Sequence, residues 1–257
     1  MTSMLSRSVS AALVAILLGG ATSALAQSDG RSRPACQDQA APSFGRLVAG
    51  TVGDFRRLPS RETAMWLTAG GVAALGAHSA DSHATRTLSG SQPLHEALES
   101  GAVVGSTPVQ LGAAFTTYAI GRALNRPCAA RVGADLVQAQ LMAEVLTLAV
   151  KAAVRRTRPE GAGFSFPSGH ATITFASATV LQQHFGWKVG VPAYAVASYV
   201  AASRVQMKRH YFSDVVFGAA LGIVAGRTAT LANGRLLVAP VATPGGAGAS
   251  FTWRGCC

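Results

Sequence analysis

Apolar positions in this chain gather into long Ala-rich runs separated by short polar joints, a pattern that predicts helices rather than strands. The runs lie at about 61–78, 101–124, 133–157, 169–186, 190–203 and 211–231. Within 133–157, Leu141, Val145, Leu148 and Ala152 recur at the spacing of one helix face. Pro127, Pro159, Gly161, Gly163 and Gly186 punctuate the joints. The expected fold is therefore all-α, a bundle of about six helices with no internal repeat.

The two ends differ from the middle. Arg7 supplies a positive n-region, AALVAILL (11–18) a short apolar core, and Ala24-Leu25-Ala26 a small-x-small cleavage site before Gln27. This predicts a secretory signal peptide over 1–26, with an uncleaved anchor as the alternative. Residues 27–60 read as an N-terminal extension, polar and loop-like up to 45, 61–233 as the helical domain and 234–257 as a tail. In that tail, extended runs at 235–243 and 249–254 flank PGGAG, which predicts a small C-terminal β-hairpin covering one side of the bundle.

The stretch 100–121 carries no Lys, Arg, Asp or Glu and is long enough to span a bilayer. It also holds Ser, Thr, Pro, Gln and several glycines, and the other runs are interrupted by Glu144, Lys151, Gln182 and Gln183. The reading favours a bundle packed outside the bilayer, exported to the periplasm. An integral or peripheral membrane protein facing the periplasm is the alternative. An exported chain meets an oxidising compartment, where Cys36 and Cys128 can form a disulfide; spacing does not fix the connectivity among these and Cys256 and Cys257.

The chain has 22 Lys and Arg against 11 Asp and Glu, a formal net charge of +11, which calls for an anionic partner. No aromatic–basic interleaving and no zinc-finger spacing is present, so nucleic acid is not expected. No Cys/His cluster has metal-ligand spacing, and no metal is expected. The polar chemistry instead concentrates in three places.

In KAAVRRTRP (151–159), Lys151 and Arg158 lie two helical turns apart, so they are expected to project from nearly the same side before Pro159 ends the helix. A solvated basic helix end would give the same pattern. In FSFPSGHATITF (164–175), Pro167 and Ser168 read as a helix start whose free N–H groups can bind an anion. Gly169 would permit close approach of an oxyanion, and His170 could donate a proton; a capped helix with a surface histidine is the plainer reading. In SRVQMKRHYFSD (203–214), Arg204 offers an anion-binding fork. His210 and Asp214 are spaced to stack on one helix face, where a carboxylate can hold one imidazole nitrogen as N–H and leave the other free.

Taken together, KxxxxxxRP, PSGH and SRxxxxxHxxxD, in this order, resemble the three-part signature of the type 2 phosphatidic acid phosphatase superfamily. That superfamily includes bacterial non-specific acid phosphatases and vanadium haloperoxidases. Every signature position is filled, and the implied core runs from about 100 to 230. The resemblance implies a metal-independent phosphatase acting through a phosphohistidine, with no cofactor, although vanadate could occupy the phosphate site. It implies His210 as nucleophile, Asp214 as the group that orients its ring, and His170 as acid and then base. Lys151, Arg158, Ser168, Gly169 and Arg204 would bind phosphate.

The implied partner is a phosphorylated lipid or small molecule, with lipid phosphates or a polyprenyl pyrophosphate first and soluble phosphomonoesters as the alternative. Association with a membrane surface would follow from a lipid substrate. A vanadate-dependent haloperoxidase and a non-catalytic phosphate-binding protein remain as rival readings.

Overall fold

The structure is a computed structural model that describes residues 41–231 and the backbone of two strands, 236–243 and 246–253. The signal-peptide segment 1–26, Cys36, Cys256 and Cys257 lie outside the described residues. The helices are α1 (Phe44–Arg57), α2 (Arg61–His78), α3 (Asp81–Ser89), α4 (Gln92–Leu98), α5 (Gly101–Val104), α6 (Thr107–Ala123), α7 (Pro127–Val154), α8 (Gly169–Phe185), α9 (Trp187–Gln206) and α10 (Phe212–Leu231). The fold is all-α, and each expected apolar run contains a helix.

Three helices fall where no apolar run predicts them. α1 is capped by Ser43, whose Oγ accepts from Arg46 N–H, and it packs on α7 through Leu47. Its pattern is diluted by Gly45, Gly50 and Gly53, and only Leu47 and Asp54 are buried. α3 and α4 are short and polar, so they carry little periodic signal. The run 101–124 is divided into α5 and α6 because Ser106 is extended (ψ 142) and Pro108 occupies the first turn of α6.

α8 sits at the centre, packed against α7, α9 and α10, and is buried on nearly every face. α10 comes unusually close to it. Gly218, Gly222 and Gly226 recur every fourth residue and face Ser168, Thr172 and Thr179 of the PSGH segment and α8. A Cβ at Gly222 would stand 2.3 Å from the Thr172 carbonyl oxygen, so a side chain there must push two backbones apart. Gly222→Ala is therefore expected to destabilise the protein by about 1–3 kcal/mol. A thermal melt checks it, and an unchanged midpoint would contradict the close packing.

The apolar stripe on α7 does not face the core. Leu141, Val145 and Leu148 are 37%, 50% and 61% exposed, and Ala152 is exposed as well. The buried face of α7 is the one carrying Val137, Ala139, Met142 and Ala143. Small residues there let α6 and α8 approach, leaving the larger aliphatics outside. α6, which packs on α7, also carries exposed Phe115 and Ile120. Beyond the bundle, β1 (Leu236–Thr243) and β2 (Gly246–Trp253) pair antiparallel, from Leu236↔Trp253 to Thr243↔Gly246, so β2 begins before 249. This tail is a minor appendage, and the fold class rests on the helices.

Candidate active site

Lys151 lies in the last turn of α7, but Arg158 does not extend that helix. The helix ends at Val154, and Arg155 turns left-handed (φ 52, ψ 31) as its C-cap. The expected alignment of Lys151 and Arg158 on one helix face is therefore replaced by a loop. The loop is fixed by Arg158 N–H to Ala162 O (2.6 Å) and Ser165 N–H to Arg156 O (2.7 Å). It returns the Phe164 carbonyl to Lys151 Nζ at 2.6 Å. The backbone breaks at Arg155, four residues ahead of Pro159.

Ser168 caps α8 as the sequence predicts: it is extended (φ −77, ψ 109) and its Oγ accepts from Ala171 N–H at 3.5 Å. Its own N–H donates to the Asp214 carbonyl at 3.1 Å, which ties this cap to α10. Gly169 opens the helix, and a Cβ there would meet only the Thr147 methyl at 3.4 Å. The first N–H groups of α8 have no intrahelical partner, and a helix end of this kind can receive an anion. His170 Nε2 lies 3.2 Å from the Ala102 carbonyl of α5. A carbonyl only accepts, so Nε2 carries the hydrogen and Nδ1 is the nitrogen left for chemistry.

Arg204 is on α9, whereas His210 is not on a helix at all. The backbone N–H groups of Arg209 and His210 both donate to the Arg204 carbonyl (3.0 and 3.2 Å), forming a tight turn between α9 and α10. Asp214 sits in the first turn of α10. The expected His210–Asp214 pair on one helix face is thus a turn-to-helix contact, with His210 Nδ1 and Asp214 Oδ2 3.8 Å apart. The hydrogen bond to Nδ1 goes instead to the Ser165 carbonyl, at 2.6 Å. That carbonyl fixes the tautomer: Nδ1 bears the proton and Nε2 presents a lone pair.

Ser165 is the site residue the sequence reading misses. Its Oγ donates to Asp214 Oδ2 at 2.5 Å while its carbonyl holds His210, so one buried residue aligns both members of the pair. Asp214 also accepts from Tyr211 N–H (2.9 Å) and from Arg156 Nη1 (2.7 Å). Arg156 lies inside the basic cluster, but nothing in its spacing distinguishes it from Arg155.

The charges of these groups act on one another. Burial, and then Arg158, lowers the Lys151 ammonium to about 8. Burial, with Arg209 and Arg158, lowers Arg204 to about 10. Burial, with Arg204, His210 and Lys151, lowers His170 to about 4 despite its bond to Ala102. Burial also lowers His210, against the pull of Asp214. For Asp214, burial would raise the carboxyl, but His210, Ser165, Tyr211 and Arg156 outweigh it and hold it below the usual range.

Cations that repel one another in a partly buried space are complementary to a polyanion. Arg158 Nε and Arg204 Nε are buried donors with no hydrogen-bond partner. Arg158 Nη1 rests 3.4 Å from Glu160, which also receives Arg209 Nη1 at 2.7 Å. Among the described residues, no group of three or more His, Cys, Asp or Glu is placed to hold a metal ion.

A helical bundle that brings the charges of Lys151, Arg158 and Arg204 to bear on one another and on two histidines defines a class, an all-α protein with a basic, partly buried candidate site. Comparison with known proteins narrows it. Residues 133–236 match the model of the PAP2 superfamily.

Among curated proteins, the chain is 44% identical over 75 residues to a lipid A 1-phosphatase of Porphyromonas gingivalis, covering 28% of this chain and 17% of that protein. It is 34% identical over 116 residues to a decaprenylphosphoryl-5-phosphoribose phosphatase of Mycolicibacterium smegmatis, covering 41% and 63%. The chain thus spans less than two thirds of the length of these relatives.

The fold resembles the crystal structure of Aquifex aeolicus LpxE (TM-score 0.50, 21% identity, 59% of this chain and 94% of that one). It also resembles a transmembrane PAP2-type phosphatidylglycerolphosphate phosphatase of Bacillus subtilis (TM-score 0.54, 18% identity, 73% and 94%). In the chain described here, Pro127–Val154 and Phe212–Thr230 are long and apolar enough to cross a membrane, and 39% and 67% of their most apolar windows are buried in the bundle.

Proposed function

We propose that this protein is a phosphatase of lipid phosphates or polyprenyl phosphates that works through a phosphohistidine at His210. The observation that carries the reading is the Ser165 carbonyl on His210 Nδ1, which leaves the Nε2 lone pair as the nucleophile of a ring that feels the Lys151 charge. Lys151, Arg158 and Arg204 hold the phosphoryl oxygens, and Ser168 with the Gly169 N–H completes the cradle at the α8 N-terminus.

His210 Nε2 attacks phosphorus, the P–O ester bond breaks, and His170 passes a proton from Nδ1 to the leaving oxygen. Neutral His170 then takes a proton from water, whose oxygen attacks the phosphoenzyme, releasing inorganic phosphate and free His210. Fixed cations supply the stabilisation of equatorial charge that phosphoryl transfer requires, without a resident metal. A covalent histidine divides one hard displacement into two easier ones.

Two features support a lipid substrate at a membrane face. The exposed stripe of Leu141, Val145 and Leu148 is an apolar surface of the kind that meets lipid or protein. A cavity of about 310 Å³ lined by Val104, Pro108, Val109, Leu136 and Leu181 adjoins α5, the helix whose Ala102 carbonyl holds His170. The curated relatives are phosphatases of lipid A and of a decaprenylphosphoryl sugar phosphate, which agrees with this class.

The test is phosphate release from a panel of phosphatidate, a polyprenyl pyrophosphate and p-nitrophenyl phosphate, with and without vesicles. The lipids should be turned over with the higher kcat/KM. Preference for the soluble monoester would move the protein to the acid-phosphatase reading, and no phosphate from any of the three would overturn the proposal.

A further inference from the structure

Asp81, on α3, lies outside the segment that matches the family model, yet it reaches the catalytic carboxylate through one arginine. Arg156 Nη2 donates to Asp81 Oδ2 at 2.7 Å, and Nη1 donates to Asp214 Oδ1 at 2.7 Å and to Ser213 Oγ at 2.8 Å. Asp81 in turn accepts Ser213 N–H on Oδ1 (2.8 Å) and Ser213 Oγ–H on Oδ2 (2.7 Å). His78 Nδ1 closes the group, 3.0 Å from Asp81 Oδ2 and 3.3 Å from Arg156 Nη2. The guanidinium lies 4.1 Å from the centre of the Tyr211 ring, and the Arg156 carbonyl accepts Ser165 N–H.

This arrangement solves a local problem at the start of α10. The residue before the helix is Tyr211, whose side chain cannot accept a bond from the first N–H groups. Asp214 reaches back to Tyr211 N–H, half of a capping box. The free N–H of Ser213, which the Tyr211 side chain cannot satisfy, is taken by Asp81, 132 residues earlier in the chain. Both carboxylates are buried, and a planar guanidinium is the one side chain that can bridge two of them edge-on.

We propose that Asp81 and Arg156 form a positioning relay that clamps Asp214 and the first turn of α10 against the turn bearing His210. It rests on the phosphatase reading above for its catalytic consequence, but not for its geometry. Neither residue touches the phosphate cradle. They act by holding Asp214, and through Ser165 the His210 ring, as outer partners hold the ligands of other polar sites. The charged and titratable groups facing His210 and Asp214 are Lys151 from α7, His170 from α8, Arg204 from α9, Arg156 from the loop after α7, and Asp81 with His78 from α3 and the end of α2.

The experiment uses full-length Arg156→Gln, Arg156→Lys, Asp81→Asn and the Asp81→Asn/Arg156→Gln pair, each checked for folding by circular dichroism. Arg156→Gln should lower kcat about 10–100-fold with little change in KM. Arg156→Lys keeps the charge but not the two-sided bridge, so its kcat should fall nearly as far while its pH profile stays near that of the parent. Removing a cation favours protonated His210, so Arg156→Gln should move the acid limb of kcat/KM to higher pH. Asp81→Asn removes an anion and should move it to lower pH. In the pair the losses should be smaller than the product of the singles.

His210 titration followed by NMR gives the same opposite shifts without turnover. Opposite shifts in inactive protein would keep the relay while sinking the phosphatase reading. Folded variants with the parent kcat and an unmoved His210 titration would overturn the relay.

Discussion

His210→Ala is expected to give a folded protein with no measurable turnover and no phosphoenzyme, a loss of about 10⁴-fold or more. The reason is geometric. Nδ1 is committed to the Ser165 carbonyl, so Nε2 has no duty in the fold and is held where the cations converge. Truncation leaves Lys151, Arg158 and Arg204 in place, and the variant should still bind inorganic phosphate by calorimetry. Rapid quench with a ³²P-labelled substrate should trap label on the parent protein and none on the variant. A variant that turns over normally would remove His210 from the chemistry. A variant that is inactive and also blind to phosphate would show that His210 builds the cradle instead.

The parts of the site that were legible in the sequence are those fixed by local chemistry. Pro167-Ser168-Gly169 can hardly be anything but a helix start, and α8 begins there. Lys151 stood out as the polar exception in an apolar run, whereas Arg204 and Asp214 stood out only through their spacing around His210. What failed was the local geometry joining them. Lys151 and Arg158 do not share a helix, since Arg155 turns left-handed before the pre-proline residue is reached. His210 precedes α10 and meets the Ser165 carbonyl rather than the Asp214 carboxylate.

Ser165, Arg156 and Asp81 could not be found by spacing. Their partners lie 45, 58 and 132 residues away, and a serine or aspartate that satisfies a distant N–H looks like any other in one dimension. The stripe on α7 shows the converse limit. Helical period identifies an apolar face but not what it faces, and here small residues on the other side form the core.

The close approach of α8 and α10 links the fold to the chemistry. α8 begins at the proposed phosphate cradle and α10 at the proposed relay, and Ser168 N–H bonds the Asp214 carbonyl between them. The glycines on α10 let these two starts come together, so Gly222→Ala should lower kcat along with the melting temperature. A loss confined to stability would mean that the helix starts are held by their caps alone.

His170→Ala is expected to show a loss that depends on the leaving group. General acid catalysis contributes about 10²–10⁴-fold when the departing oxygen is a poor leaving group. An alkyl or lipid phosphate should therefore suffer the full loss, while p-nitrophenyl phosphate, which leaves without help, should lose far less. The buried ring is lowered to about 4 in the free protein, chiefly by burial and by Arg204. At neutral pH it is therefore uncharged until a phosphate enters.

A bound dianion reverses that balance, since an opposite charge favours the protonated ring. For His170, protonation is required and is lost as pH rises, so it sets an alkaline limb, and the bound anion places this limb higher in kcat than in kcat/KM. His210 must be neutral, so it sets the acid limb, and its lowered pKa keeps the protein active on the acidic side. In His170→Ala the alkaline limb of kcat should vanish while the acid limb stays. Equal losses for both leaving groups, with the alkaline limb intact, would assign the proton to another donor and leave His170 as a wall of the cradle.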